Sequence, residues 1–492
     1  MSAVVEEVRS PGATGHGVDP SERRRGWELS ERAAALILTT MFVVKVAVSA
    51  WNAHAYRSQS YDYNHHLGRA LVGGLVPDKM NYDPPLYYLP VPLYRKAMEL
   101  FADAVPTAAQ VEFKVMFFLR VTNVLYMALF YACWCFFSFP RLLPDWRSAF
   151  VASALLLSVP GYQKLGVMTH SDNLFAASAA LCTAVWLAVH ERYLARGPQL
   201  EARYWLGLAG AAGIVGLSRP FAIVPVGLFA LVAATFALRG RPVSLPRAAG
   251  RLLLIGALAG SLAVAWYGYR WQASRAVLDA YEEDYMKPYL KGREGFDFVH
   301  YFTSFGLPQL LESPNRKIPA TGDFSGNDSF FTLLYSEIWG DHWLYFSGKR
   351  GVEGKLWPKR ILFVAALPVV PWLLYGAWRS LRACRTRARE ALAGAQSGLR
   401  RLLAALAANE RQVVVAAWLL AAFGLYLYWR TGPALLPGKN STIKFIYTAT
   451  FYPLAIAFAA GFRLSRGLFN ASAYYLVLLF AVALPVAIFT LH

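Results

Sequence analysis

The sequence has little charge for its length. Only 16% of its 492 residues are charged, whereas soluble domains carry roughly 25%. Apolar residues make up 56% of the chain and aromatic residues 15%. A bilayer core requires about 20 apolar residues per spanning helix, and many apolar runs are present. The composition therefore excludes an ordinary soluble domain and indicates an integral membrane protein.

Acidic residues are fewer than basic ones, which leaves a formal net charge of +19. In a soluble protein such an excess would indicate nucleic acid as the partner. Here the arginines lie mostly in short segments between apolar runs, where positive charge determines the orientation of membrane helices. We therefore expect membrane lipids as partners and no nucleic acid.

Cysteine is scarce, and several motifs are missing. Cys133, Cys135 and Cys182 lie in apolar runs and Cys384 lies in a basic segment, so no disulfide framework is predicted. The polar residues 1–32 lack the apolar core of a cleavable signal peptide, and we interpret them as a disordered cytoplasmic tail. No internal repeat, glycine-rich phosphate loop or closely spaced metal motif is present.

Apolar runs predict an all-α polytopic membrane protein with about eleven spanning helices. Arg219-Pro220 separates two short runs, which we interpret as a helical hairpin, with a single broken helix as the alternative. The predicted spans are 33–51, 116–138, 149–166, 173–190, 204–217, 220–238, 251–269, 359–377, 412–429, 444–461 and 471–490.

The arginines predict an orientation with the N-terminus in the cytoplasm. With that orientation every inside segment carries at least two arginines, and the short outside segments carry almost none. Two large loops, about 52–115 and 270–357, then lie outside. The second loop contains "GFDFVHYFTSFGLPQLLESP" and "NDSFFTLLYSEIWGDHWLYF", which are too aromatic to remain disordered. We expect it to fold on the outer membrane surface.

The first outside loop contains "SYDYNHHLGRALVGGLVPDKMNYDPPLYYLP", residues 60–90. Asp62 lies near the outer interface, where a partly buried carboxylate can act as a general base; a solvated loop acid is the alternative. Asp83 precedes Pro84-Pro85, which hold the backbone extended; an ordinary turn acid is the alternative there.

Other candidates lie at the outer ends of spans. Ser171 or Asp172 can cap the fourth span, and Asp172 can also present an acid to the outer surface. Arg219 and Lys444 can hold a phosphate or extend towards lipid headgroups. His300 and His342 are possible metal ligands together with Asp83, or structural histidines.

These motifs together resemble the C-type glycosyltransferases (GT-C), nearest to the aminoarabinose transferase and protein O-mannosyltransferase group. "YDYNHHLGRAL" followed by "YDPPLYYLP" is similar to that family's first outside loop, which matches Asp62 to its catalytic-loop aspartate and Asp83 to its acid before the prolines. "HSDNLFAASAAL" matches Asp172 to a second acid. "GLSRPFAIV" and "STIKFIYTATFYPLAI" match Arg219 and Lys444 to basic residues.

The resemblance implies a GT-C-like transmembrane catalytic domain over residues 33–492. It implies transfer of a sugar from a polyprenyl-phosphate donor to an acceptor hydroxyl of a glycan, lipid or protein, on the extracytoplasmic face of a bacterial inner membrane. Asp62 would be the base of an inverting reaction. Tyr63 replaces the acid usual after it, which departs from an acid-pair mechanism, and a lone base suits a single displacement. The implied roles are catalysis for Asp62, Asp83 and Asp172, donor-phosphate binding for Arg219 and Lys444, and acceptor or loop contacts for His65, His66, Tyr87, Tyr88, Asp341 and His342.

Some alternatives remain open. A divalent metal held by Asp83 with His300 or His342 is one of them. A secondary transporter is another, although its ionisable residues would lie near the bilayer midplane, whereas these acids lie at the outer ends of spans. A ligase of lipid-linked oligosaccharides, of the O-antigen type, would share the phosphate site, and a non-catalytic assembly subunit would use the outside loops for binding.

Overall fold

A computed structural model describes the chain in several stretches separated by gaps. Within them every regular element is helical, so the predicted all-α class is confirmed for this part of the protein. The described residues are 29–55, 67–68, 70–71, 85–101, 107–168, 170–196, 202–218, 250, 254, 256–258, 260–261, 263–269, 272, 275, 297–312, 329–340, 356–393, 398–431 and 448–489.

Seventeen α-helices of defined extent occur in these stretches, together with a single 3-10 turn at Pro85–Tyr87 and a π-helical stretch at Ala132–Ser138. The helices are α1 Glu31–Ala55, α2 Pro90–Leu100, α3 Ala108–Tyr131, α4 Phe139–Leu142, α5 Trp146–Ser158, α6 Gly161–Val167, α7 Asp172–Arg196, α8 Ala202–Ser218, α9 Phe298–Thr303, α10 Leu307–Glu312, α11 Phe330–Trp339, α12 Leu356–Ala366, α13 Val369–Ala393, α14 Gly398–Ala408, α15 Glu410–Thr431, α16 Tyr452–Ala459 and α17 Arg466–Phe489.

Five helical segments in the described part of the chain are long and apolar enough to cross a membrane. The protein is therefore a multi-pass membrane protein, as predicted. The predicted count of about eleven spans is not confirmed by these five. The segments are Glu31–His54, Ala108–Leu142, Asp172–Arg192, Trp357–Ala393 and Arg466–Pro485.

The centre of the bundle is α5, which packs against both α1 and α17. The chain breaks at Val159-Pro160 before α6 begins, so the predicted span 149–166 consists of two helices. Proline removes a backbone donor and disfavours helix in the residue before it. The ammonium group of Lys45, buried within α1, donates to the Val159 carbonyl at 2.8 Å. That hydrogen bond satisfies a carbonyl that the broken helix cannot pair.

The predicted span 359–377 also differs from the structure. It divides at Leu367-Pro368 into α12 and α13, and α13 continues to Ala393. Hydropathy falls where arginines begin, but arginine is a strong helix former. The helix therefore extends well past the apolar residues.

Candidate active site

The predicted site residues fall into two groups. Tyr87, Tyr88, Asp172 and His300 lie within the described residues. The other predicted site residues lie outside them: Asp62, His65, His66, Asp83, Arg219, Asp341, His342 and Lys444. Described segments flank most of these positions.

Asp172 is the first residue of α7, and its exposed fraction is only 4%. The ring nitrogen Nδ1 of His170 lies 2.9 Å from Oδ2 of Asp172 and 3.3 Å from the Asp172 backbone nitrogen. Because Nδ1 accepts the hydrogen bond from the Asp172 amide, its contact with the carboxylate is one of proximity. His170 thus lies against a buried carboxylate at the end of a helix.

The connection between α6 and α7 is held by one backbone carbonyl. The Met168 oxygen accepts from the side-chain amides of Asn123, at 2.6 Å, and Asn173, at 2.8 Å. Both asparagines are fully buried. Because a buried amide is costly to leave unpaired, these bonds hold the loop that carries His170 and Asp172.

The tyrosine pair of the "DPPLYY" stretch reaches the same connection. The Tyr87 hydroxyl donates to Oδ1 of Asn123 at 2.9 Å. The rings of Tyr87 and Tyr88 are buried in an edge-to-face pair with centroids 4.9 Å apart. They belong to a small apolar cluster that also includes Leu174 at the start of α7. The predicted position of Asp83, four residues before Tyr87, therefore leads directly into a segment bonded to the loop before Asp172.

The end of α1 packs on α6. A Cβ atom on Gly166 would lie 3.7 Å from Cβ of Ser49, so the two helices approach closely there. The helix ends at Ala55, and Asp62 follows seven residues later. Asp62 therefore follows, in the sequence, a helix whose last turns pack on α6.

The end of α8 is also close to Asp172. Ser218, its last residue, and Ser178 of α7 are joined by a hydrogen bond of 3.2 Å between their hydroxyl oxygens. Ser178 lies six residues into α7, or about 9 Å along its axis. α8 also contacts the turn Pro85–Tyr87. Arg219 follows Ser218 directly.

A fourth contact involves the segment before α16. The Tyr162 hydroxyl on α6 donates to the backbone carbonyl of Ala449 at 2.7 Å. Lys444 lies five residues before Ala449. Four flanking segments therefore contact α6, the Met168 connection or the start of α7.

Several polar residues in this region are absent from the sequence prediction. Asn123 and Lys45 lie within apolar runs, and polar residues inside membrane segments are a signal of function or of helix contacts. Gln163 is almost fully buried, and its side-chain amide has no hydrogen-bond partner among the described residues. The Ser171 hydroxyl also has no hydrogen-bond partner among the described residues, so Ser171 precedes α7 without capping it.

The metal alternative gains nothing from the described residues. His300 is exposed on α9, and its backbone nitrogen donates to the capping carboxylate of Asp297 at 2.9 Å. No three His, Cys, Asp or Glu side chains within the described ranges come together as a metal site. Asp83 and His342 lie outside those ranges, so the proposed ligand set stays a prediction.

Within the aromatic stretch before α12, the helix α11 is anchored to the bundle. The Tyr335 hydroxyl donates to the Phe363 carbonyl. Burial raises the pKa of Tyr335 well above its ordinary value, and the nearby Tyr475 and Tyr452 raise it further by smaller amounts. The hydroxyl therefore remains a donor. A Cβ on Gly340 would lie 2.8 Å from the ring of Phe363, so a larger residue there would displace that ring.

No model of a protein family matches the sequence, and no curated protein matches it. Among solved structures, the apo oligosaccharyltransferase of Archaeoglobus fulgidus aligns with 92% of this chain at 15% identity and a TM-score of 0.44. The alignment covers 56% of that protein, so the chain spans about half its length.

The structure of ArnT from Cupriavidus metallidurans bound to undecaprenyl phosphate aligns with 87% of this chain and 76% of its own, at 16% identity and a TM-score of 0.35. The Archaeoglobus fulgidus oligosaccharyltransferase tethered to an acceptor peptide aligns with 87% of this chain and 55% of its own, at 15% identity and a TM-score of 0.35. These proteins belong to the GT-C superfamily, the family that the sequence motifs resemble. With identities of 15–16% and TM-scores of 0.35–0.44, these alignments assign no activity to this chain.

Proposed function

We propose that this protein is a membrane glycosyltransferase. It moves a sugar from a polyprenyl-phosphate donor to an acceptor hydroxyl on the extracytoplasmic face, with inversion at the anomeric carbon. The proposal rests on the sequence motifs that carry Asp62, Asp83, Asp172, Arg219 and Lys444, and its acceptor is a glycan, a lipid or a protein.

The observation that carries the proposal is the convergence of flanking segments on α6 and the start of α7. Tyr87 reaches the connection before α7 through Asn123, and Ser218 reaches α7 through Ser178. Ala449 contacts Tyr162 on α6, the helix that precedes this connection. Motifs separated by hundreds of residues in the sequence thus lead to one end of the bundle. A transporter of the kind considered above needs ionisable groups near the middle of its spans, and this convergence is at a span end.

The reaction requires one base and one anion-binding group. Asp62 accepts the proton of the acceptor hydroxyl as its oxygen attacks the anomeric carbon. The bond between that carbon and the phosphate oxygen breaks, and the polyprenyl phosphate leaves with the electron pair. One displacement gives inversion, and no covalent sugar-enzyme intermediate forms.

Arg219 and Lys444 bind the phosphate and stabilise the negative charge that grows on it as the bond breaks. Asp172, which lies against His170, and Asp83 accept hydrogen bonds from sugar hydroxyls. The acceptor approaches along the outer loops, against His65, His66, Tyr88, Asp341 and His342. No step in this scheme depends on a metal.

The orientation of the site follows from charge. α7 begins at Asp172 and ends at Arg196. Arginines lie near its far end, because Glu191 contacts Arg141 of α4, and His190 contacts Glu410, which follows Asn409, the partner of Arg387 in α13. The positive-inside rule then assigns the Asp172 end to the extracytoplasmic face of a bacterial inner membrane, with the N-terminus in the cytoplasm.

Mass spectrometry of cell-surface glycans tests the proposal in vivo. Strains carrying the intact gene, no gene, and Asp62→Asn are compared. We expect one sugar substituent to be missing from the last two strains, and its identity would name donor sugar and acceptor. Identical glycans in all three strains, with the protein verified in the membrane, would contradict the proposal.

A further inference from the structure

α13 presents one continuous exposed stripe that changes in character along its length. The helix has 25 residues, or about 37 Å. Leu374, Trp378 and Leu381 are exposed by 69%, 48% and 56%. Exposed aliphatic and indole groups in a membrane helix face lipid.

The same stripe continues as arginines. Arg382, Arg385 and Arg389 are exposed, and at 100° per residue they lie on the face that carries Trp378. The guanidinium of Arg382 lies 4.8 Å from the centre of the Trp378 ring. The change from Trp378 to arginines is therefore the point where the helix leaves the apolar part of the bilayer, since tryptophans mark the interface and arginines lie just beyond it.

The other face of this helix end is fixed to the bundle. Nε of Arg387, which is partly buried, donates to Oδ1 of Asn409 at 2.9 Å, and the Asn409 amide donates to the Cys384 carbonyl at 2.9 Å. The next residue, Glu410, lies 2.5 Å from Nε2 of His190 in a buried pair with α7. The arginine stripe is thus presented on a rigid support.

No acidic residue of α13 lies on the face that carries these arginines. Arg382, Arg385 and Arg389 form no ion pair within the described residues. The single acidic residue of this helix, Glu390, lies about 100° around the axis from Arg389. Arg387 supports the fold, so it is not part of the stripe.

We propose that Arg382, Arg385 and Arg389 bind the headgroup phosphates of anionic phospholipids in the adjoining leaflet. Continuity with the lipid-facing stripe selects a lipid, because the arginines begin where the apolar side chains end. Guanidinium groups bind phosphate through paired hydrogen bonds, and each basic residue at an anionic surface strengthens binding roughly fivefold. An acidic protein or nucleic acid would not require the apolar continuation.

Native mass spectrometry of the full chain tests this inference. Protein released from nanodiscs of equal phosphatidylglycerol and phosphatidylcholine is scored for retained lipids. We expect the wild type to retain at least about threefold more phosphatidylglycerol than phosphatidylcholine. Replacing Arg382, Arg385 and Arg389 together by Gln should remove this excess, and replacing them by Lys should keep most of it.

The matched control changes Arg95, Lys96 and Lys114, which lie outside the stripe, to Gln. It alters the net charge equally, and the phosphatidylglycerol excess should persist. Elution as a single species in detergent and an unchanged melting temperature show that each variant is folded. No excess in the wild type, or an excess that survives in the triple Gln variant, would overturn the proposal.

Discussion

The hydroxyl of Tyr87 and the side chain of Asn123 are hydrogen-bonded at 2.9 Å, and Asn123 in turn donates to the Met168 carbonyl at 2.6 Å. Tyr87 is thereby coupled to the connection that carries His170 and Asp172. The whole path is buried, so it is shielded from competing water.

Tyr87→Phe should destabilise the protein, because Oδ1 of Asn123 loses its donor inside the bundle. A buried acceptor left unpaired costs about 1–3 kcal/mol. The free energy of unfolding, from SDS titration in mixed micelles, measures the loss. Tyr94→Phe is the control, since its ring stacks on Phe118 at 4.2 Å and the stacking is kept. Equal effects of the two changes would contradict the role of the Tyr87 hydroxyl.

Two neighbouring ion pairs, His190–Glu410 and Arg141–Glu191, should contribute differently to the free energy of unfolding. Glu410→Ala leaves His190 without its buried partner, and breaking such a pair costs about 3–5 kcal/mol. Glu191→Ala removes a contact of 3.2 Å to Arg141 whose side chains are 42% and 32% exposed, and exposed pairs contribute about 0–1 kcal/mol. Melting in detergent should separate the two variants clearly. A Glu191 variant as unstable as the Glu410 variant would show that burial does not govern these pairs.

Gly376→Ala should disrupt the contact between α13 and α16. The added Cβ would lie only 3.0 Å from the carbonyl carbon of Ala459, and backbone cannot rotate away as a side chain can. Overpacking of this kind costs about 1–3 kcal/mol. Gly210→Ala on α8 meets no atom within 4 Å and should be neutral or slightly stabilising. The unfolding midpoints of the two variants provide the comparison, and an unaffected Gly376 variant would contradict the predicted clash.

Asp172→Asn should reduce sugar transfer at least about tenfold and leave the fold intact, since asparagine has the shape of aspartate. Asp145→Asn is a matched control at the other end of the bundle. Asp145 caps α5 by accepting from the Ser148 amide at 2.8 Å, and asparagine caps as well as aspartate. Transfer rates of the two variants in proteoliposomes decide the matter, and equal rates would remove Asp172 from the site.

Hydropathy and charge predict much of this fold. The start of α7 at Asp172 matches the predicted span 173–190, because polar residues precede a long apolar run. The break at Val159-Pro160 was missed, since apolar residues continue across it and only the proline marks it. The length of α13 was not predicted, because hydropathy falls at the first arginines whereas the helix continues through them to Ala393.

The site was predictable in its motifs but not in its connections. Asn123 lies 36 residues from Tyr87 and 45 from Met168, and nothing in a single sequence indicates that these three residues meet. Polar residues within apolar runs, such as Asn123 and Lys45, are the signal that was available. It marks them as buried and paired without naming the partner.

The role of Asp62 is tested most directly by rate measurements on purified protein in proteoliposomes with a polyprenyl-phosphate-linked sugar. Asp62→Asn is compared with the wild type and with Asp78→Asn, an acid of the same loop to which no role is assigned. We predict that transfer is lost in the Asp62 variant and retained in the Asp78 variant, with both proteins inserted and folded. Wild-type transfer by Asp62→Asn would show that this carboxylate is not the base.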